Sequence, residues 1–228
     1  MDHKSIHPPL SIQAAVFDLD GVLMNTEWIS YLVWKDIAAR QGGALDESAY
    51  PVMVGLTAEE TGEYVMQVSG ALFELAPTVA EVWQRVLSAI TAGIEPQPGA
   101  RDLLEALTAR GIPLAIASNS PASYIRASLD GLKLAKFFRH AVGVDQVSRG
   151  KPAPDLFLRA AELLGVESRL CMAVEDSYVG SQAALAAGMR VAAVPSHLDD
   201  PGRFAGCFGV YRSLADLGSD LERILETP

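Results

Sequence analysis

Cysteine is nearly absent, with only Cys171 and Cys207 in 228 residues. Two thiols cannot build the disulfide framework of a small secreted domain, and Cys171, inside an apolar run, reads as a buried structural residue. Histidine is scarce as well. His3, His7, His140 and His197 show no metal-ligand spacing and are assigned no function. Basic charge falls short, 18 Lys and Arg against 28 Asp and Glu, for a net charge of −10. This argues against a nucleic-acid partner, whose phosphates are held by Lys and Arg, and against an anionic lipid surface. No apolar run is long enough to span a bilayer. Residues 1–10 are polar, with Pro8 and Pro9, and lack the basic start and apolar run of a signal peptide. The expectation is a cytoplasmic protein with no membrane or nucleic-acid partner. It is expected to be a monomer, since no contiguous apolar surface can be inferred.

Half of the residues are hydrophobic, which excludes a disordered or fibrous chain. A chain of this length buries roughly 70% of its unfolded surface, enough for one large core with a smaller second domain. Short unbroken apolar runs occur at residues 14–17, 113–117, 141–144, 170–174 and 191–194. Unbroken runs suit parallel strands covered on both faces. Amphipathic stretches at Ala100–Arg110, Pro121–Leu129, Asp155–Leu164 and Ser177–Ala187 lie between them, several followed by Gly111, Gly165 or Gly188. This alternation predicts an α/β protein with a doubly wound, Rossmann-like parallel sheet. Residues 26–95 break the rhythm with helical patterns at Trp28–Gln41, Ala58–Val68 and Val79–Ile94, and Trp28, Trp34 and Trp83 read as core anchors of these helices. The predicted organisation is a core domain from residues 12–25 and 96–228, with a helical domain at 26–95 inserted after the first strand. That insertion holds 10 acidic and 3 basic side chains (Lys35, Arg40, Arg85).

Ligands of open parallel sheets bind beyond the carboxyl ends of the strands. Asp18-Leu19-Asp20-Gly21 follows the first run, Ser118-Asn119-Ser120 the second, and Glu175-Asp176-Ser177 the fourth. Gly150-Lys151-Pro152 leads into the Asp155 helix. Four carboxylates, Asp18, Asp20, Glu175 and Asp176, converge on one edge. Like charges this close raise one another's pKa unless a cation sits among them. An oxygen-only donor set points to Mg²⁺. Lys151, Ser118 and Asn119 supply donors for phosphate oxygens. Carboxylate, metal and cationic clamp together fit phosphoryl transfer through an aspartyl phosphate.

The order of these motifs resembles the haloacid dehalogenase superfamily, in its β-phosphoglucomutase and sugar-phosphatase branch. The resemblance rests on Phe17-Asp18-Leu19-Asp20-Gly21-Val22-Leu23, Ser118-Asn119-Ser120, Arg149-Gly150-Lys151-Pro152-Ala153-Pro154-Asp155 and Val174-Glu175-Asp176-Ser177, and spans about residues 12–194. It implies that Asp18 is the nucleophile and Asp20 the general acid/base. It implies that Ser118 and Lys151 hold the phosphate, and that Asp18, Asp20 (through its backbone carbonyl), Glu175 and Asp176 serve the metal. It also makes residues 26–95 a cap over the site, with Glu27, Trp28 and the Gly55-Leu56-Thr57 turn as specificity candidates.

The implied activity is Mg²⁺-dependent hydrolysis of a small phosphomonoester, a sugar or polyol phosphate. The alternative is a phosphohexomutase, and a receiver-like binding module is a third class that shares the aspartate cluster and lysine. The mutases of this family carry a histidine where this chain has Ser30, and they need cap cations for a second phosphate. Both points favour hydrolysis, although one well-placed Arg40 or Arg85 would meet the second need. The aspartate at Asp20 argues against true dehalogenases and phosphonoacetaldehyde hydrolases, which lack it.

Overall fold

The computed structural model describes residues 12–54, 56–195 and 201–226. His3, His7, His197 and Gly55 lie outside the described residues. The chain divides into two compact units, one comprising residues up to Met24 and from Glu95 onward, the other Asn25–Ile94.

The first unit is built on a sheet of β1 (Ala14–Phe17), β2 (Leu114–Ala117), β3 (Phe138–Val142), β4 (Cys171–Glu175), β5 (Arg190–Ala193) and β6 (Gly209–Val210), with α5 (Ala100–Ala109), α6 (Ala122–Gly131), α7 (Asp155–Leu164), α8 (Tyr178–Ala186), α9 (Leu214–Ser219) and α10 (Leu221–Glu226) around it. The second unit contributes α1 (Thr26–Arg40), α2 (Tyr50–Met53), α3 (Ala58–Ser69) and α4 (Leu75–Ala92). All strand pairings are parallel, in the order β3-β2-β1-β4-β5-β6. This is the doubly wound α/β architecture expected from the sequence.

β1, β2 and β4 are buried along their whole length, as unbroken apolar runs require. β3 begins three residues before its apolar run, at Phe138. It is an edge strand with Arg139 exposed and Phe138, His140 and Ala141 half-buried, so its start carries no continuous hydrophobic signal. The two-residue β6 is too short for periodicity to reveal it. The sequence reading also passes over α9 and α10, where Leu214, Leu217, Leu221 and Ile224 are buried at helical spacing. α7 stops at Gly165, whose φ of +70° is the left-handed conformation that ends a helix.

In the helical unit, Asn25 caps α1 by accepting from the Trp28 amide at 2.9 Å. Thr57 forms a capping box with Glu60 at the start of α3. α4 begins at Leu75, four residues before the expected Val79, and buries Val79, Val82, Val86 and Ile90 at helical spacing. Trp34 is fully buried against Phe73, ring centroids 5.7 Å apart. Gly62 allows this packing, since a Cβ there would stand 3.0 Å from Trp34 and 2.5 Å from Leu75. Trp83 corrects the sequence reading. It is 58% exposed although it stands four residues after Val79 and three before Val86, on the flank of the buried stripe, and it anchors no core. Arg40 and Arg85 are tied to Asp36 and Glu81 in an exposed four-residue ion-pair network.

Candidate active site

The sheet register sets the site. Phe17 pairs with Ile116 on one side and Val174 on the other, so the residues that follow β1, β2 and β4 emerge side by side. The Asp18 amide donates to the Val174 carbonyl at 2.9 Å and the Ser118 amide to Val142 at 3.1 Å, extending the ladder past the strands. The Asp18, Ser118 and Glu175 side chains are buried.

Lys151 enters from the loop before α7. Its ammonium pairs with Asp18 Oδ1 and donates to Glu175 Oε1 at 2.6 Å, with only 5% of the side chain exposed. The ammonium lies 5.1 Å from the centroid of the buried Phe157 ring. The loop is held at both ends. Asn119 Oδ1 accepts from the Lys151 amide at 2.8 Å, and Arg149 pairs with Asp155 at 2.8 Å. Gly150 gives Asn119 room, since a Cβ there would lie 2.5 Å from its Oδ1. Asn119, expected to bind phosphate, thus engages the backbone of the lysine loop.

Glu175 is fixed from its other oxygen, which accepts from the Ser177 amide and hydroxyl at 3.2 and 3.0 Å. Gly180 permits its approach, for a Cβ there would stand 1.7 Å from Oε1. Gly21 does the same for Asp176. It sits at φ +85°, its amide donating to the Met24 carbonyl at 2.8 Å, and a Cβ would fall 1.9 Å from Asp176 Oδ2. Only glycine satisfies both demands.

Burial pushes the Asp18 carboxyl up to about 7, against the pull of Lys151 and with Glu175 and Asp20 adding to the rise. Burial also works against the Lys151 ammonium, but Asp18 and Glu175 outweigh it and hold its pKa above the ordinary lysine value. One ammonium faces several carboxylates. Ligand oxygens of Asp18, Glu175 and Asp176 all lie within 4.8 Å of one another. An oxygen-only donor set with surplus negative charge fits a hard divalent cation, Mg²⁺ in preference to zinc or copper.

The Asp20 carboxylate is turned to other partners. Oδ2 accepts from Ser120 Oγ at 3.1 Å and Oδ1 from the Tyr124 hydroxyl at 3.2 Å. Sequence reasoning missed Tyr124. The only available signal is its place in the first turn of the helix that follows Ser120-Pro121.

The expected specificity residues lie in the helical unit. Trp28 stacks on Tyr31 at 5.0 Å and meets Tyr50 edge-on at 4.9 Å. Glu27 is in the first turn of α1. Leu56 is 38% exposed, and Thr57 serves as the N-cap of α3. Among the described residues, no helix is long and apolar enough to cross a membrane.

Comparison with known proteins places this arrangement. Residues 15–194 match the family described as haloacid dehalogenase-like hydrolase. The chain is 33% identical over 208 residues to a bifunctional riboflavin kinase/FMN phosphatase of Arabidopsis thaliana, covering 89% of this chain but only 53% of that protein. It therefore spans about half the length of that relative. It is 32% identical over 193 residues to a phosphorylated carbohydrates phosphatase of Thermotoga maritima, covering 83% of this chain and 88% of the other. A Thermotoga maritima structure named as a candidate β-phosphoglucomutase superposes with a TM-score of 0.80 at 28% identity, covering 93% of this chain and 100% of that one.

Proposed function

Because the chain belongs to the haloacid dehalogenase-like hydrolases, we propose that it is a Mg²⁺-dependent phosphatase that hydrolyses a small sugar or polyol phosphate through a phosphoryl group carried on Asp18. The observation that carries this reading is the buried ion-paired cluster of Asp18, Lys151 and Glu175 beside Asp176, at the ends of adjacent parallel strands. The phosphatase names among its relatives support it, one of which acts on phosphorylated carbohydrates.

Asp18, Glu175, Asp176 and the Asp20 backbone carbonyl would hold Mg²⁺. When bound, the ion offsets the cost of burying the Asp18 charge and withdraws electron density from the phosphate oxygens. Lys151 and the Ser118 hydroxyl steady the phosphoryl oxygens. An Asp18 oxygen attacks phosphorus, the bond to the substrate oxygen breaks, and Asp20 gives that oxygen its proton. Asp20, now ionised, takes a proton from water as the water attacks the phosphorus, which frees Asp18. The helical unit is the proposed source of the residues that read the alcohol portion.

The structural likeness to a protein named for β-phosphoglucomutase favours a second reading, a phosphohexomutase. A mutase must hold a second phosphate. Of the three basic residues at 26–95, Arg40 and Arg85 are already paired with Asp36 and Glu81, which supports hydrolysis.

The test is inorganic phosphate release from hexose, pentose and polyol phosphates and phosphoglycolate. It is run with Mg²⁺, with chelator, and on Asp18→Asn. Release that needs Mg²⁺ and vanishes in the variant is expected. Isomerised glucose phosphate with little free phosphate would establish the mutase instead.

A further inference from the structure

We propose that Tyr124, together with Ser120, positions Asp20 for proton transfer to the leaving oxygen. The inference rests on the phosphatase reading and on Asp20 as its acid/base. The two hydroxyls take hold of different carboxylate oxygens, Ser120 at Oδ2 (3.1 Å) and Tyr124 at Oδ1 (3.2 Å). A carboxyl group bonded at both oxygens cannot spin about its terminal torsion, which is otherwise broad. Each oxygen has two lone-pair sites, so both bonds leave room for the proton that Asp20 must carry.

Both donors belong to one short segment. Ser120 follows β2, its amide donating to Ser118 Oγ at 3.0 Å. Tyr124 lies in the first turn of α6, whose Ala122 amide is fixed by Asp145 Oδ1 at 2.8 Å. Burial and the Asp20 charge push the Tyr124 hydroxyl well above the ordinary tyrosine range, so it stays protonated and remains a donor. The segment that presents Ser118 therefore also orients the acid/base, coupling phosphate placement to proton delivery. In that step the Asp18–phosphorus bond forms and the phosphorus–oxygen bond to the alcohol breaks. The bonding pair passes to the alcohol oxygen, and the proton on Asp20 follows it.

The need for that proton depends on the leaving group. An alkoxide from a sugar or polyol phosphate requires it, whereas nitrophenolate departs unaided. The test compares kcat/KM for p-nitrophenyl phosphate and for the best sugar phosphate in the full-length chain with saturating Mg²⁺. The variants are Tyr124→Phe and Ser120→Ala, the second of which keeps the Tyr124 ring. Each is expected to lose roughly tenfold with the sugar phosphate, part of what a positioned acid supplies, and to stay within about twofold with the aryl ester. Thermal unfolding checks that both variants are folded. An equal loss on both substrates, or no loss on either, overturns the positioning role. A native chain that releases no phosphate from any ester, or an Asp18→Asn chain that still does, instead overturns the phosphatase reading.

Discussion

Lys151 stands between two buried carboxylates, Asp18 and Glu175, and this arrangement has a cost that pH can expose. Burial first, then Glu175 and Asp20, raise Asp18 from the ordinary 3.8 to about 7 despite Lys151. A group whose pKa is higher folded than unfolded lends stability that is full below the unfolded pKa and is lost as pH rises through the folded one. In chelator, Asp18 should therefore destabilise the native chain progressively between about pH 4 and about pH 7. Asp18→Asn removes that contribution. Denaturant melts of the two proteins across this range should diverge, the variant gaining relative stability as pH rises. Parallel curves would mean that Asp18 is not the strained acid described here.

Much of this site is legible at the residue scale. Asp18, Ser118 and Glu175 each follow an apolar strand run directly, and strand ends are marked in sequence by the switch from apolar to polar. Tyr124 is not so marked. It lies in the first turn of α6 and reaches Asp20 across 104 residues of sequence, a contact set by the fold rather than by a local motif.

At the scale of elements, the helices of the second unit show that periodicity alone does not decide burial. Trp34 sits on the buried stripe of α1 and is fully enclosed, while Trp83, at helical spacing from Val79 and Val86 on α4, is 58% exposed at the flank of that stripe. Trp34→Ala should cost about 4 kcal/mol, as large-to-small changes at fully buried aromatics do. Trp83→Gln should stay within about 0.5 kcal/mol of the native protein. Chemical denaturation measures both, and comparable losses would contradict the packing described for α4. The strands differ in how plainly the sequence marks them. β3 at the sheet edge and the two-residue β6 bury too little for a repeating apolar pattern, whereas β1, β2 and β4, enclosed on both faces, declare themselves.

At the scale of the whole molecule, charge is the dominant fact. The chain carries a net −10, with 10 acidic and 3 basic side chains in residues 26–95. Two of those three, Arg40 and Arg85, are already paired with neighbouring carboxylates. On the proposed reading a substrate with one phosphate meets Lys151, while a second phosphate adds repulsion with little to offset it. The kcat/KM ratio of hexose monophosphate to hexose bisphosphate should favour the monophosphate and shrink as salt screens the field. A ratio that stays constant between low and high salt would show that contacts, not overall charge, set the preference. The expectation of an inserted helical segment arises because strand-like runs stop at residue 17 and resume near residue 113, too long a gap for a single crossover.

On the proposed reading, the phosphoryl group passes through Asp18. The most direct measurement is an acid quench of the native chain milliseconds after mixing with Mg²⁺ and its best phosphomonoester, followed by peptide mass mapping. One added phosphoryl group is expected on the peptide containing Asp18, absent in Asp18→Asn and absent when chelator replaces Mg²⁺. Turnover with no phosphoryl group on that peptide, or with the group on another residue, would contradict it.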